Sequence, residues 1–577
     1  MFHFSRSRRT TRWLADLCAV AAITACAHGS PPLVVPEPSL VERDEPRELA
    51  VDQQAKHALA RLTFGARPGE TALVLREGLD HWLTRQLTPE NWPDVTGDSA
   101  LARYPAAALP IRELVDSSPQ QDIFLRRRRI ALGLAANAPY VLTAEDSARF
   151  KDMSHLGNLR VQQFLGAKLA RAVASDHQLQ EVLTDFWENH FSVFRGKMPT
   201  QFTLLEYDRD VIRPHALGKF RDLLGAVAHS SAMLYYLDNA QSTADSGRVT
   251  LFVLRNYAAA KTAKDSVRVR TAALRRRGGL NENYARELME LHTLGVDGGY
   301  TQSDVINVAR ALTGWSLQSP REGLGFVFNA TTHDAEPKVV LGQVLAGGRG
   351  EEDGEEVLDI LSRHPSTARY IATKLVRHFV SDTPPASLVD RVARTFTQTD
   401  GDIRQVLAVI VSSPEFYSRA AVRAKVKTPY EVVASTYRAL GGHPDTLGRS
   451  VQLAAVLGQP LYGHLTPDGW PDVADAWMNT GSVLSRINFG SDVAAGRVAG
   501  IAASRLTPSS LMSGATREEQ VDAVAAAVLQ GEMSPDTHQV LMAGANPLAA
   551  SVAARGRVPT FAELIGLALG APEFQRH

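Results

Sequence analysis

The sequence predicts an all-α, mainly helical protein: a large irregular body of many helices joined by short loops, with few or no strands. Apolar residues between 179 and 194 recur every three or four positions, the spacing that gathers them on one face of a helix. Runs that alternate apolar and polar residues, typical of half-buried strands, are scarce. Since 577 residues are many for one compact core, we expect two lobes or one large irregular helical body.

Shifts in composition divide the chain into six predicted segments. They are a signal peptide with a lipobox at 1–25, a proline-rich tether at 26–50, an N-terminal helical lobe at 51–241, a basic insertion at 242–278, a central helical lobe at 279–440 and a C-terminal helical region at 441–577. A helix that runs into Pro-Glu-Phe occurs at 403–416 and again at 561–574. We interpret this repeat as a duplicated packing unit, because a proline starts the next element in each copy.

The start of the chain resembles an export signal followed by a lipid anchor. Four arginines precede a short apolar stretch, 14–25, which is interrupted only by Asp16 and is too short to span a bilayer permanently. Ala25 stands directly before Cys26, as in the lipobox of bacterial lipoproteins, where the cysteine becomes the new amino terminus and is acylated. An ordinary signal peptide is the alternative, and a twin-arginine-like pair leaves the export route open. The leader predicts a periplasmic or cell-surface lipoprotein anchored to the membrane.

The lipid anchor gives a first testable prediction. Cys26→Ser should abolish acylation and move the protein from the membrane fraction to uncleaved or soluble forms, because the chain has no other cysteine at a cleavage site. Metabolic labelling with a fatty acid and mass analysis of the amino terminus would measure the change. Cys18→Ser is the matched control and should keep the lipid. An unacylated parent, with fractionation that Cys26→Ser leaves unchanged, would contradict the anchor.

Composition argues against cysteine-based chemistry and against general nucleic-acid binding. Cys18 and Cys26 are the only cysteines, so the mature body has no disulfide, no cysteine-based metal site and no thiol nucleophile. The 62 lysines and arginines equal the 62 aspartates and glutamates. A balanced chain is poorly suited to general nucleic-acid binding, which depends on an excess of cations. We therefore expect no nucleic-acid partner.

The segment 281–316 holds the densest group of residues that can do chemistry. Arg286 lies four residues from Glu282 and from Glu290, so it can form ion pairs with both along one helix. Glu287 is then left without an obvious partner. Paired carboxylates on neighbouring turns can hold a divalent metal or exchange protons with a substrate.

Cap signals bound the two helices of this segment. Gly295 follows the first helix as a left-handed cap, and His292 lies in the last turn, where the helix dipole favours a cation. Thr301, with Asp304 three residues later, predicts a capping box at the start of the second helix.

Two histidines lie on or beside apolar helical stripes. His190 is in line with Phe186 and Trp187, and it is either a core imidazole bonded to a carbonyl group or a site residue held rigidly by its aromatic neighbours. Asn189 beside it either orients a ligand or caps a turn. His378 lies on the flank of another apolar stripe, and we expect it to be solvated.

An aromatic, proline-stiffened loop spans 458–471. Tyr462 and Trp470 stand on it between prolines and glycines. Such side chains suit stacking on sugar rings when they are exposed, and burial against the helices is the alternative.

No single motif identifies a reaction. The sequence lacks an EF-hand loop, two histidines four apart around a glutamate, a Gly-x-Ser-x-Gly elbow and a nucleotide-binding glycine loop. A composite of acids and histidines from separate segments remains. Its predicted catalytic residues are Glu287, His190 and His333, its predicted metal ligands are Glu287, Glu290 and His292, and its predicted substrate-binding residues are Asn189, Arg286, Asp334 and Trp470. The alternative is a structural polar network between helices.

From about residue 51 to the carboxyl end the chain resembles the bacterial domain-of-unknown-function 1800 family. The motifs that carry the resemblance are RLTFG with RPG at 61–69, FWENHF at 186–191, IRPHALG at 212–218, MLYYLDN at 233–239, 279–296, 309–315, 333–342 and 458–471. The resemblance implies an exported, largely helical protein with no established activity. It also implies an exported partner family that resembles phosphatases and sulfatases. The basic insertion at 242–278 departs from the family pattern.

Two functions from different classes therefore remain open. The first is an envelope-anchored hydrolase or glycan-modifying enzyme that uses the carboxylates and histidines, with a divalent metal as the cofactor to test. The second is a non-catalytic helical lipoprotein that holds a partner protein at the cell envelope. Both fit an exported protein that contacts the membrane through its lipid.

Overall fold

The computed structural model describes residues 40, 47–117, 121–135, 137–259, 267, 279–319, 324–501, 515–543 and 560–577. These residues are mainly helical, which confirms the predicted fold class, and they belong to one compact unit. The signal peptide, Cys26, most of the tether and most of the basic insertion lie outside the described residues. The boundaries between the predicted lobes stay predictions. None of the described helices is long and apolar enough to cross a membrane.

The helices up to residue 259 begin and end as follows. They are Val51–Leu62, Glu70–Glu77, Leu79–Leu87, Val95–Leu101, Ile111–Ser117, Gln121–Ala131, Ala144–Ala174, Gln178–His190, Leu204–Glu206, Phe220–His229, Ser231–Tyr236 and Leu251–Ala259. Short 3₁₀ turns and one π-helical turn, Tyr207–Ile212, connect several of them.

The helices after residue 279 carry most of the predicted site. They are Glu282–Glu290, Gln302–Ala311, Glu352–Ser362, Pro365–Phe379, Ala386–Gln398, Ile403–Ser412, Pro429–Ala439, Arg449–Val456, Ala474–Trp477, Thr480–Ala494, Arg517–Val528, Pro535–Ala543, Phe561–Gly570 and Pro572–Gln575. Below, Gln178–His190 is called the His190 helix, Glu282–Glu290 the central helix, Pro365–Phe379 the Lys374 helix, and residues 458–473 the site loop.

Four short strands form two antiparallel hairpins. Strand β1, Trp315–Leu317, pairs with β2, Phe326–Phe328, and β3, Lys338–Val340, pairs with β4, Gln343–Leu345. The segment between β2 and β3 contains His333 and Asp334.

The His190 helix is held by its apolar stripe and by one buried ion pair. Leu183 and Trp187 on the stripe are fully buried, as the periodicity predicts. On the other side Glu188 accepts from Lys168 at 2.6 Å and from the hydroxyl group of Tyr462 at 2.6 Å. Since Tyr462 belongs to the site loop, the same carboxylate fixes this helix against a segment almost three hundred residues away.

The beginning and the end of the described body also meet. Val426 and Arg576 form an antiparallel bridge, and the ring of His577 lies 3.1 Å from the carbonyl oxygen of Ala60 through Nδ1. Arg438 reaches the carbonyl group of Gly65. The first and last helices therefore share one core.

Candidate functional site

The end of the central helix, the His190 helix, the Lys374 helix and the site loop contact one another through a few side chains. The ring of His190 lies 6.2 Å from that of Tyr370 on the Lys374 helix. Its Nε2 lies 3.1 Å from the carbonyl oxygen of His292, just past the central helix. Asn189 contacts the backbone of Trp470 in the site loop. Segments far apart in sequence thus bring His190, His292, Asn189 and Trp470 together, whereas these contacts include neither Glu287 nor His333.

Asn189 fastens the site loop by a two-way hydrogen bond. Its Nδ2 donates to the carbonyl oxygen of Trp470 at 2.8 Å, and its Oδ1 accepts from the Trp470 backbone N–H at 2.7 Å. Gly469 lies so close that a Cβ atom there would overlap the carbonyl oxygen of Asn189. Both polar atoms of the Asn189 amide group are therefore hydrogen-bonded to the backbone of Trp470, and this contact holds the site loop in position.

The central helix presents one apolar and one polar face. Asn281 caps it by accepting from the Tyr284 backbone N–H at 3.1 Å, and Tyr284 is fully buried with the apolar face. Arg286 donates to the side chain of Gln302 at 2.8 Å instead of pairing with Glu282 or Glu290. The expected ion pairs on this helix are therefore replaced, within the described residues, by hydrogen bonds to the following helix.

Three carboxylates form what we call the acid cluster: Glu287, Glu290 and Asp468. Burial raises the pKa of Glu287. The negative charges of Glu290 and Asp468 raise it further, and the positive charge of Arg286 lowers it. Glu290 accepts from the hydroxyl group of Tyr300 at 2.9 Å. Across the described part of the chain, the Glu287 carboxylate makes neither a hydrogen bond nor an ion pair that would fix it. It is thus a half-buried acid that keeps its proton to a higher pH than usual.

Two neutral imidazoles lie behind the acid cluster. Burial, Lys374 and His292 hold the pKa of His190 well below its usual value, and burial and Lys374 lower the pKa of His292 to about 3. His190 Nδ1 and His292 Nε2 are buried and have no hydrogen-bond partner among the described residues. The contact of His190 Nε2 with a carbonyl oxygen fits the expected core imidazole. Because Nδ1 has no partner among the described residues, the role of a site residue stays a prediction.

Lys374 supplies the cation of the site. Burial lowers its pKa to about 8, although Asp472 and Asp468 oppose this. Its Nζ lies 5.5 Å from the centre of the Tyr370 ring, and within the described ranges it forms no ion pair. An amine with such a pKa can change charge near neutral pH, which an ordinary surface lysine does not do.

His378 differs from the expectation of a solvated side chain. Its Nδ1 lies 3.0 Å from Oδ2 of Asp472, and the histidine side chain is only 18% exposed. Lys425 contacts Oδ1 of the same aspartate at 2.8 Å. Because Asp472 lies near the end of the site loop, its contacts with His378 and Lys425 anchor the loop from its second side.

Trp470 is half-buried and makes contact with aromatic neighbours. Its ring lies 4.7 Å from that of His464 and 5.8 Å from that of Trp477. Trp470 is therefore partly buried against protein rings, and the rest of its side chain remains exposed.

The structure places His333 and Asp334 in a buried ionic network. His333 is fully buried, with Nδ1 2.7 Å from the carbonyl oxygen of Thr313 and Nε2 3.4 Å from Asp353. Asp334, also fully buried, accepts two hydrogen bonds from Arg310 at 2.8 and 3.1 Å. Neither residue contacts the acid cluster in the described structure. Their predicted catalytic and substrate-binding roles remain predictions without geometric support.

The metal-ligand geometry falls elsewhere than predicted. In the described ranges the one set of three ligand atoms within 4.8 Å of one another belongs to His229, Glu351 and Glu355. Glu355 already contacts His229 at 2.9 Å and Arg221 at 2.7 Å, so it is neutralised by protein groups. Glu287, Glu290 and His292 do not form such a set, and their role as metal ligands stays a prediction.

The buried imidazoles predict how stability depends on pH. The pKa of His292 is about 3 in the folded protein against 6.5 for a free side chain, so the unfolded chain takes up the proton first. The stabilisation is complete above pH 6.5 and is lost as the pH falls towards 3. We expect the melting temperature to fall over this range, and less steeply in His292→Gln. The exposed His155→Gln should keep the parent slope; identical slopes for all three proteins would contradict the prediction.

The sequence analysis missed Asp468, Lys374 and Tyr370. Asp468 stands inside the loop motif that was singled out for its aromatic residues. Lys374 directly precedes Leu375, a fully buried member of the apolar stripe, and this position at the edge of the stripe was the available signal.

Comparison with known proteins adds one finding. A family model described as "Protein of unknown function (DUF1800)" matches residues 57–576. No curated protein and no solved structure matches the chain.

Proposed function

We propose that this chain, which belongs to the DUF1800 family of proteins of unknown function, is an envelope-anchored hydrolase that acts on a glycan. The observation that carries the proposal is the acid cluster. The pKa of Glu287 is raised because the residue is half-buried and because two further carboxylates, Glu290 and Asp468, act on it. Glycan hydrolysis commonly uses a carboxyl group with a raised pKa as the general acid and a second carboxylate opposite it.

Glu287 is the general acid in this proposal. It would protonate the oxygen atom of the leaving group, and its lack of a fixed partner leaves the carboxyl group free to do so. Asp468 would be the second carboxylate, since it comes from a separate element and its side chain is 60% exposed. The two acids are carried by the central helix and by the site loop, so the substrate would lie between these elements.

Lys374 and the aromatic residues support the same assignment. A partly desolvated ammonium group stabilises negative charge that develops on an oxygen atom. Trp470, on the loop that carries Asp468, offers an aromatic ring for a sugar to stack on. The leader and Cys26 would place this chemistry at the cell envelope, where such polysaccharides occur.

The test compares two glutamates of the central helix. Glu287→Gln should lower kcat on a responsive polysaccharide by about 10²-fold or more, because it removes the proton that the leaving group needs. Glu282→Gln is the matched control: it lies on the same helix, accepts from Gln302 at 2.7 Å and should stay close to the parent. Reducing-sugar release from a panel of envelope and plant polysaccharides would be measured, with melting temperatures of all three proteins.

The melting temperatures separate the enzyme from the helical scaffold that holds a partner. Glu287→Gln should be at least as stable as the parent, since the substitution removes an acid that its neighbours repel. A loss of roughly 1–3 kcal/mol, with no turnover by the parent, would indicate a structural polar network and overturn the hydrolase.

A further inference from the structure

A cavity lined by other residues has no part in the proposed hydrolysis. It has a volume of about 1090 Å³ and lies between the helix Val51–Leu62, the turn at 65–75, the loop at 419–427 and the carboxyl-terminal residues 573–577. None of its lining residues belongs to the acid cluster. Cavities of this size accommodate small organic ligands.

The charge of the lining is unbalanced. Six lysines and arginines line the cavity but only two glutamates. Glu532 is shared by Arg423 at 3.2 Å and Lys56 at 3.4 Å. Glu573 accepts from Ser534 and Thr537 and so neutralises none of the cations. Outside the lining Arg67 pairs with Asp176 at 3.1 Å and Arg419 with Glu48 at 3.3 Å, which leaves Lys427 and Arg576 as the lining cations without an ion pair among the described residues.

Lys427 is the group that points to a ligand. Its side chain is 93% buried, its Nζ lies 4.2 Å from the centre of the Phe574 ring, and no carboxylate pairs with it in the described structure. Burial lowers the pKa of Lys427 to about 7; Glu431 opposes this, and Arg486 and Arg423 act in the same direction as burial. A buried cation without an anionic partner destabilises a protein. Such groups are found more often at functional sites than elsewhere.

His57 also lines the cavity, but its polar atoms are closed off from it. The residue is 96% buried, both of its ring nitrogens lie beneath the accessible surface, and its ring lies 4.8 Å from that of Phe416. Burial lowers the pKa of His57 to about 3. Apolar side chains in the lining include Leu49, Leu75, Val422 and Val528.

We propose that this cavity binds an organic oxyanion, a carboxylate or a phosphate ester attached to an apolar body. Lys427 pairs with the oxyanion, and the apolar side chains of the lining cover the hydrocarbon part. The ligand supplies the anionic partner that no described carboxylate provides to Lys427 within ion-pair distance.

Isothermal titration of the purified protein with octanoate and octyl phosphate tests the proposal. Octanol serves as the probe without charge, and inorganic phosphate as the probe without an apolar body. At about pH 6, where Lys427 is protonated, both amphiphilic anions should bind about tenfold or more tightly than octanol and than phosphate. Preference for one anion over the other identifies the head group. Absence of saturable binding by both anions would overturn the proposal.

Two variants separate ligand binding from a structural role of Lys427. Lys427→Met should weaken binding by about tenfold or more, while Lys427→Arg should keep the affinity close to that of the parent. Without ligand, Lys427→Met should melt at the same or a higher temperature, because it removes an unpaired buried charge. A Lys427→Met protein that binds octanoate as the parent does, or that melts lower while Lys427→Arg does not rescue binding, would refute the assignment.

Discussion

Asp334→Asn is expected to lower the free energy of unfolding by about 3–5 kcal/mol, the usual cost of leaving a buried charge without its partner. The variant keeps the shape of the side chain but removes the charge opposite Arg310, whose own side chain is only 7% exposed. Arg310 has one other carboxylate nearby, Glu336 at 3.6 Å, and this residue also serves Arg248 at 2.6 Å. Chemical denaturation of parent and variant would measure the difference.

The chain offers a matched surface pair as the control. Arg369 and Asp390 lie 2.6 Å apart with side chains 62% and 46% exposed. Asp390→Asn should change stability by less than about 1 kcal/mol, because water screens and replaces the lost contact. An Asp334→Asn protein that is as stable as Asp390→Asn and yet loses activity would return Asp334 to the substrate-binding role that the sequence suggested.

Gly469→Ala should detach the site loop, with a loss of roughly 2–4 kcal/mol. The residue has φ +75°, a conformation that L side chains rarely adopt, and an added Cβ would meet the backbone of Asn189. The two-way hydrogen bond between Asn189 and Trp470 cannot survive such a displacement. Asp468 would move with the loop, so hydrolysis by the proposed acid pair should fall with stability.

Gly496→Ala controls for the backbone conformation alone. Gly496 has φ +68° and no atom within 4 Å of an added Cβ. It should cost only about 1–2 kcal/mol and leave the loop in place. Limited proteolysis between 458 and 473, followed by mass analysis, would show whether the loop has been released. Equal protection of the loop in both variants would contradict a close-packed Gly469.

The helices could be predicted from the sequence because apolar periodicity and capping depend on residues that are close together in the chain. The stripe that contains Leu183 and Trp187 is buried as its period required, and Thr301 forms the predicted capping box with Asp304. Gly295 adopts the expected left-handed φ of +83°, but the helix ends at Glu290 with Leu291 as its C-cap, so the prediction that Gly295 caps it was wrong. Each of these features depends on residues within one or two turns of one another.

The partners of the site residues could not be predicted, because they come from distant segments. Asp468 approaches Glu287 only through a loop that Asn189 holds, and no periodicity links these positions. His333 carries the residue type of a catalytic base, yet its surroundings are set by a hairpin and by Asp353. Residue type alone does not distinguish a reactive group from one whose charge is satisfied inside the core.

The contact between Ala60 and His577 also determines the order in which this body can fold. These residues are separated by 517 positions, so the first helix of the body lacks its last neighbours until synthesis has reached His577. Contacts of such long range make folding slow and leave apolar faces exposed in the meantime. Segments that meet over such a distance in sequence cannot complete their shared packing by local folding alone.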